Sequence, residues 1–353
     1  MTDNVLAFAH LGDLHMTDLG QPNHLDLMAI VAQIETQARR QLDFVALPGD
    51  CAENGLPEQY ALVETLRMLS LPVHIIPGDH DMEPGDLSNF HDRLQVDPLP
   101  YAARLKGKRC LFLDVCSAGE GGPDFRLGED QLGWVAGKLK QAAAAKEEAV
   151  VFMHAYPEDL ADEVEAEALM RLFADCGVAL VDMGHTHYNE LANDGRTIFA
   201  ATRSTGQIEE GPVGYSLATL DGGVVSWRFK PLADPFPFVM ITSPADHRLM
   251  RGEGQRVGGR FVIRARVFGA EPLARVECQV NEGAWRPMQP VGDGGDWGAE
   301  VEAPEGRLID VMVRAVGVSG RPGLHAIRAA GSRYEAPAQR GRGSAAAIGQ
   351  WPE

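Results

Sequence analysis

Along the first half of the chain, apolar residues come in short runs that stop abruptly. These are 5–10 before GDLH, 44–47 before PGD, 73–76 before PGDHD, 111–115, 150–153 before HAYP, and 178–181 before DMGHTH. A short apolar run bounded by Gly, Pro and Asp has the length and flanks of a buried strand, so each predicts a strand whose end presents polar side chains. Between the runs, apolar positions recur at helical spacing over 26–41, 57–69, 128–146 and 163–176. Strands alternating with amphipathic helices predict an α/β fold with helices packed outside the sheets.

The pattern changes after residue 197. Helical spacing vanishes across 197–229, where TIFAAT, YSLATLDGG and VVSWRF read as strands and Asp221-Gly222-Gly223 supplies a hairpin turn, so the α/β unit is expected to close with an antiparallel meander. After the proline-spaced PLADPFPF, the segments ITSPADHRLM, RFVIRARVFG, RVECQVNEGAW, WGAEVEA and LIDVMVRAVG alternate apolar and polar residues at period two. That alternation predicts a smaller all-β sandwich, its core filled in part by Trp285 and Trp297. From Ser332 onward Ala, Gly, Arg and Pro dominate without periodicity, which predicts a mobile tail.

Charge sharpens the same boundary. Through Pro235 there are 17 basic against 37 acidic residues, a balance of −20; beyond it 15 stand against 13, a balance of +2. The expected organisation is therefore a catalytic domain over 1–235, a β-sandwich over 236–331 and the tail over 332–353. A net charge of −18 over 353 residues repels polyanions at long range, so nucleic acid and anionic membrane surfaces are not expected partners. The five cysteines are scattered, odd in number and without C-x-x-C spacing, which reads as reduced thiols. No signal-type N-terminus and no run of 18 apolar residues is present, so a cytoplasmic location is expected.

Five of the eleven histidines (His15, His80, His154, His185 and His187) fall at the predicted strand ends. In Asp13-Leu14-His15 and in His185-Thr186-His187 the polar side chains are spaced i, i+2, which in extended chain puts both on one side. Asp50 follows Gly49, and Asp79-His80-Asp81 follows Gly78, again at strand ends. The donors are oxygen and imidazole nitrogen with no thiolate, a set that suits Mn, Fe, Zn, Co or Ni better than Ca or a Cys-based zinc. Seven potential ligands are too many for one tetrahedral ion, and a central carboxylate can bridge two ions about 3.5–4 Å apart. His10, His24, His74 and His91 read as structural or exposed, and Cys51 as a small buried thiol.

The ordered set Asp13-Leu14-His15, Gly49-Asp50, Gly78-Asp79-His80-Asp81, His154 and Gly184-His185-Thr186-His187 resembles the signature of the calcineurin-like metallophosphoesterases. The resemblance covers about residues 5–230 and implies a four-layer α/β/β/α sandwich with a dinuclear centre. It implies that Asp13, His15 and His187 hold one ion, that Asp79, His154 and His185 hold the other, and that Asp50 bridges them. His80 would then contact phosphate and serve the leaving oxygen, with Asp81 fixing its tautomer. Mn or Fe is the expected metal, with Zn, Co and Ni also admitted. The chain departs from the family at Asp79, where Asn is usual; the extra carboxylate leaves about +1 on the centre instead of about +2. The stretch ending at Val280-Asn281-Glu282-Gly283-Ala284-Trp285 resembles immunoglobulin-like modules appended to bacterial enzymes, which can pair two chains into a homo-oligomer or cover a cleft.

The expected activity is hydrolysis of a phosphoester by water activated between the ions, with no protein nucleophile. The substrate expected is a small soluble diester of the cyclic-nucleotide or glycerophosphodiester type; a phosphomonoesterase or nucleotide phosphatase is the alternative. A catalytically decayed binding scaffold is the alternative of another class. Specificity is expected to reside in loops 53–58, 82–89 and 117–125, with Asn54, Tyr188 and Arg203 placed where substrate could be touched.

Overall fold

The computed structural model describes residues 4–119, 124–292 and 294–335. The first part of the chain runs β1 (Leu6–His10), α1 (Pro22–Gln33), β2 (Phe44–Pro48), α2 (Pro57–Val63), β3 (Val73–Ile76), α3 (Ser88–Leu94), β4 (Tyr101–Leu105) and β5 (Lys108–Phe112). It continues through α4 (Glu129–Ala144), β6 (Ala149–Phe152), α5 (Glu163–Cys176), β7 (Val178–Met183), β8 (Glu190–Asn193), β9 (Ile198–Ala201), β10 (Gly214–Asp221) and β11 (Val224–Pro231). These strands form two mixed sheets, ordered β11-β10-β1-β2-β3 and β4-β5-β6-β7-β9-β8. β1, β2 and β3 run parallel, as do β5, β6, β7 and β9, so their carboxyl ends lie along one edge of each sheet.

Period-two alternation builds the layers. Leu6 and Phe8 of β1 face Phe112 and Phe152 of the second sheet across a core between the sheets, while Ala7 and Ala9 face the outer helices. Aromatic rings knit the inner layer: Phe8 stacks on Phe44 at 4.9 Å and meets Phe152 edge-on at 5.2 Å. Leu27, Ile30 and Val31 of α1 cover the outer face of one sheet, and Val135, Leu139, Leu169 and Phe173 of α4 and α5 belong to the helical side of the other. Removing one such buried ring would cost about 3–5 kcal/mol. The expected α/β/β/α sandwich is present, and no described helix is long and apolar enough to cross a membrane.

Several local expectations shift. α1 starts at Pro22, whose fixed φ suits the first helical turn, and gives way to a wider turn over Ile34–Ala38 and a tight turn over Arg39–Gln41. β5 starts at Lys108 rather than 111, because Lys108 and Arg109 pair with Glu148 and Glu147 and can lie at a half-buried strand start. The expected single meander is divided between the sheets: β9 pairs parallel with β7, whereas β10 and β11 form a hairpin beside β1. Local pattern marks a strand but not its partner.

Beyond residue 236 come β12 (Phe238–Ser243), β13 (Gly259–Phe268), β14 (Leu273–Val280), β15 (Arg286–Pro287), β16 (Gln289–Val291), β17 (Asp296–Ala303), β18 (Leu308–Gly317) and β19 (Pro322–Ala330). They make two antiparallel sheets, β12-β13-β17-β16 and β15-β14-β18-β19, around Ile241, Ile263, Val276, Val311 and Val313. The strand expected across ITSPADHRLM ends at Ser243, before Pro244. Trp297 packs against this core, but Trp285 does not; its ring lies under the Arg314 guanidinium at 4.1 Å. The tail expectation falls mostly on residues 336–353, outside the described residues; Tyr334 is buried beside Met250 and Ala330.

This β-sandwich-like region docks on the amino ends of the parallel strands. Arg266 pairs bidentately with Asp296 and also donates to the Gln41 carbonyl, just before β2. Arg264 and Thr242 hold Asp221, and Arg251 donates to the carbonyls of Gly223 and Arg196. These anchors lie at the end of the sheets opposite the polar strand ends, so of the two roles the resemblance admits, pairing two chains or covering a cleft, the second is not met there.

Candidate metal centre

Each polar strand end is a loop leaving the carboxyl edge of a parallel strand: Asp13 and His15 after β1, Asp50 after β2, Asp79 after β3, His154 after β6, and His185 and His187 after β7. Backbone bonds sew the loops together. Leu14 and His15 N–H both donate to the Asp50 carbonyl, Gly184 N–H to the His154 carbonyl, and Thr205 and Gly206 N–H to the Asp13 carbonyl. Glycines make room for this closeness: a Cβ on Gly78 would stand 2.1 Å from Asp50 Oδ1, and one on Gly184 2.3 Å from Asp13 Oδ1. His15, Asp50, His185 and His187 all have positive φ, between 42° and 68°, which non-glycine residues rarely adopt. Such strain persists where surrounding contacts enforce it, commonly at functional sites.

The side chains converge as two groups that share one member. Asp13, His15, Asp50 and His187 offer atoms within 4.8 Å of one another, and so do Asp50, Asp79, His154 and His185. His15 Nε2 and His187 Nε2 are 3.0 Å apart, with Asp50 Oδ2 3.6 Å from the first and Asp13 Oδ2 3.9 Å from the second. In the other group His154 Nε2 is 3.0 Å from Asp79 Oδ1 and 3.4 Å from Asp50 Oδ2, and His185 Nδ1 is 3.3 Å from Asp79 Oδ1. His154 Nδ1 donates to the Pro48 carbonyl at 2.7 Å, which aims the Nε2 lone pair inward.

A pair of cations fits these donors. Among the described residues, both oxygens of Asp13 and Oδ2 of Asp50 are buried without a hydrogen-bond partner. An ionised carboxylate left so costs several kcal/mol unless a cation answers it. Burial, reinforced by Asp50 and Asp79, holds the Asp13 carboxyl well above the ordinary range. Burial pushes His15 down to about 3 and lowers His187. Burial disfavours charge on His154 too, yet Asp50 and Asp79 raise it well above normal. Cations between these groups would relieve both the crowded acids and the facing imidazoles.

The other expected residues divide. His80 lies beside the groups, its ring 4.6 Å from that of His15, and its N–H donates to Asp50 Oδ1 at 3.0 Å. Its Nδ1 meets the Glu53 carbonyl at 2.8 Å, not Asp81. The expected tautomer-fixing role of Asp81 is therefore corrected: its carboxylate accepts from the N–H groups of Gly78, Cys51 and Ala52 and from the Tyr60 hydroxyl, clamping the loops after β2 and β3. Arg203 is also corrected as a substrate contact. It is buried, its guanidinium lies 4.2 Å over Phe229, and it donates to the carbonyls of Glu210 and Pro212. Asn54 is exposed and bonded to Glu83, and Tyr188 is exposed beside His187. Burial pushes the Cys51 thiol well up, which keeps it protonated.

The profile of the calcineurin-like phosphoesterases matches residues 6–189, from β1 past His187. The chain belongs to this family. Calcineurin-like phosphoesterases bind two metal ions, and the two groups around Asp50 are candidate ligand clusters for such a pair. It is 26% identical over 164 residues to a protein of Fibrobacter succinogenes named a probable cyclic nucleotide phosphodiesterase. That match takes in 44% of this chain and spans 59% of the relative's length. In fold it is similar to a dimetal phosphatase from Danio rerio, with a TM-score of 0.53 and 16% identity over 65% of this chain and 97% of that one.

Sequence reasoning missed several supports of the candidate metal centre. Asn23 donates to the carbonyls of His15 and Leu14, Phe125 packs edge-on against His185 at 4.8 Å, and Glu53 and Gln207 gather around His15. His10 and Asp182, fully buried and 2.7 Å apart, link the two sheets behind the loops. None carries a motif; only the Asp and His at apolar strand positions offered a signal.

Proposed function

We propose that the chain is a dinuclear phosphodiesterase acting on a small soluble diester of the cyclic-nucleotide or glycerophosphodiester type. Asp13, His15 and His187 would hold one ion, Asp79, His154 and His185 the other, and Asp50 both. The observation that carries this reading is Asp50, whose unpartnered buried Oδ2 lies between the two groups. When bound, the ions supply Lewis-acid charge for the phosphoryl oxygens and lower the pKa of water at the site.

The chain's own residues do the rest. The Glu53 carbonyl holds His80 Nδ1, leaving Nε2 for the substrate. Burial lowers the His80 pKa, but Asp50 and the Glu53 carbonyl outweigh it and raise it above normal, so the ring can carry a proton for the departing oxygen. Preference for a monoanionic diester over a dianionic monoester has two supports. Asp79 removes about one positive charge from the centre relative to Asn, and the carboxylates of Glu53 and Glu83 stand beside His15 and His80 respectively. The name of the Fibrobacter relative points the same way. Asn54 and Tyr188 are proposed at the rim, and 1–235 as the catalytic domain.

The test is metal analysis of the purified chain, followed by paired assays of bis-p-nitrophenyl phosphate and p-nitrophenyl phosphate with added Mn. The expected result is two ions per chain, faster turnover of the diester, and a shift toward the monoester in Asp79→Asn. A monoester preference in the wild type would replace the diester assignment; no turnover with Mn, Fe, Zn, Co or Ni would point to a binding scaffold.

A further inference from the structure

Glu53, on the loop after β2, touches more of the centre than any motif would indicate. Its Oε2 is 3.0 Å from His15 Nδ1, the ring nitrogen facing away from Asp50 and His187. Its carbonyl accepts from His80 Nδ1 at 2.8 Å, and its own N–H donates to the Met16 carbonyl. Gln207 Nε2 donates to both carboxylate oxygens, at 3.2 and 3.0 Å. The residue is thus fixed through backbone and side chain alike.

We propose that Glu53 is a positioning residue that locks His15 and His80 together, through its carboxylate on one ring and its carbonyl on the other. The inference rests on the roles assigned above to those two histidines. A carboxylate accepting from Nδ1–H leaves the lone pair of a ligating imidazole on Nε2, aims the ring and strengthens it as a donor. Because one residue does this for His15 and also orients His80, the ligand of the first ion and the group that meets phosphate keep a fixed mutual geometry.

The same three groups lie close enough to be considered as a site for a further cation. The contacts argue against it. Gln207 turns an N–H donor, not a ligand oxygen, toward the carboxylate, and His80 Nδ1 is already taken by the carbonyl. A cation there would also require His15 to lose its Nδ1 proton and bridge two ions.

The test is Mn(II) titration of the full chain, followed by electron paramagnetic resonance and calorimetry, on wild type, Glu53→Ala, Glu53→Gln and Gln207→Ala. In Glu53→Ala one of two Mn(II) ions should bind about 10–100-fold more weakly, with the other unchanged, which also shows that the variant is folded. Glu53→Gln should lie between, since its amide oxygen can still accept from His15 but no longer serves Gln207 fully. Gln207→Ala should shift least. With bis-p-nitrophenyl phosphate and saturating Mn(II), Glu53→Ala should lower kcat more than it raises KM. Wild-type affinity for both ions in Glu53→Ala overturns the inference, as does a third Mn(II) in the wild type that Glu53→Ala loses. A wild type that binds no Mn(II) overturns the dinuclear reading itself, and this inference with it.

Discussion

The two ends of the central sheets treat buried charge in opposite ways. At the amino ends, Asp296 meets Arg266 through two bonds of 2.7 and 2.6 Å, and Asp221 is held by Arg264 and Thr242. At the carboxyl ends, Asp13 is more deeply buried than either, yet neither of its oxygens has a hydrogen-bond partner among the described residues. Four side chains of that end also sit on residues with positive φ. Paired charge fastens one region to another, whereas carboxylate oxygens left without hydrogen bonds, crowded among imidazoles on a strained backbone, leave a place for a cation from outside.

Breaking the unpaired end should cost activity and little stability. Asp50→Asn removes the carboxylate common to both groups but keeps an oxygen for the His80 N–H. Loss of several kcal/mol of transition-state stabilisation corresponds to a fall in kcat of about a thousandfold. The metal-free variant should unfold in urea within about 1 kcal/mol of wild type, since a buried charge has gone along with its attraction to His154. A large loss of stability would mean that Asp50 is mainly a structural ion pair.

Breaking the paired end should do the reverse. Asp296→Ala leaves the buried Arg266 guanidinium without its carboxylate, a change that typically costs about 3–5 kcal/mol. Urea unfolding should show that loss, while kcat below the transition stays within about twofold of wild type, because neither residue belongs to the groups around Asp50. A matching fall in kcat would mean that the two ends are coupled.

How much of this contrast was legible in the sequence follows the same division. The convergence of the Asp and His side chains around Asp50 was legible because such residues at the ends of apolar runs are costly residues in costly places, and parallel strands bring such ends together. Their supports were not. Gln207 reaches Glu53 across 154 positions, and nothing local distinguishes that glutamine from a solvated one. Adjacency misled at Asp81, which follows His80 directly but turns to the loops behind it, and at Arg203, whose guanidinium is absorbed by the ring of Phe229. The sheet to which β9 belongs was hidden for the same reason. Pairing is decided by distant strands, while the pattern records only burial.

Withdrawing metal sharpens the comparison most gently. Ions that bind the folded chain and not the unfolded one stabilise it by RT ln(1 + [L]/Kd), about 2.7 kcal/mol when the free metal is 100 times Kd. Treatment with a chelator should therefore lower the melting temperature reversibly, and added Mn(II) should restore it with a dependence on concentration. The sign is fixed by the unpaired acids: a cation between Asp13 and Asp50 relieves repulsion that exists only in the fold. Asp50→Asn should lose most of this dependence, and Asp296→Ala should keep all of it on a lower baseline. If Mn(II) shifted the melting of Asp50→Asn as much as that of the wild type, the stabilising ion would have to reside away from the shared carboxylate.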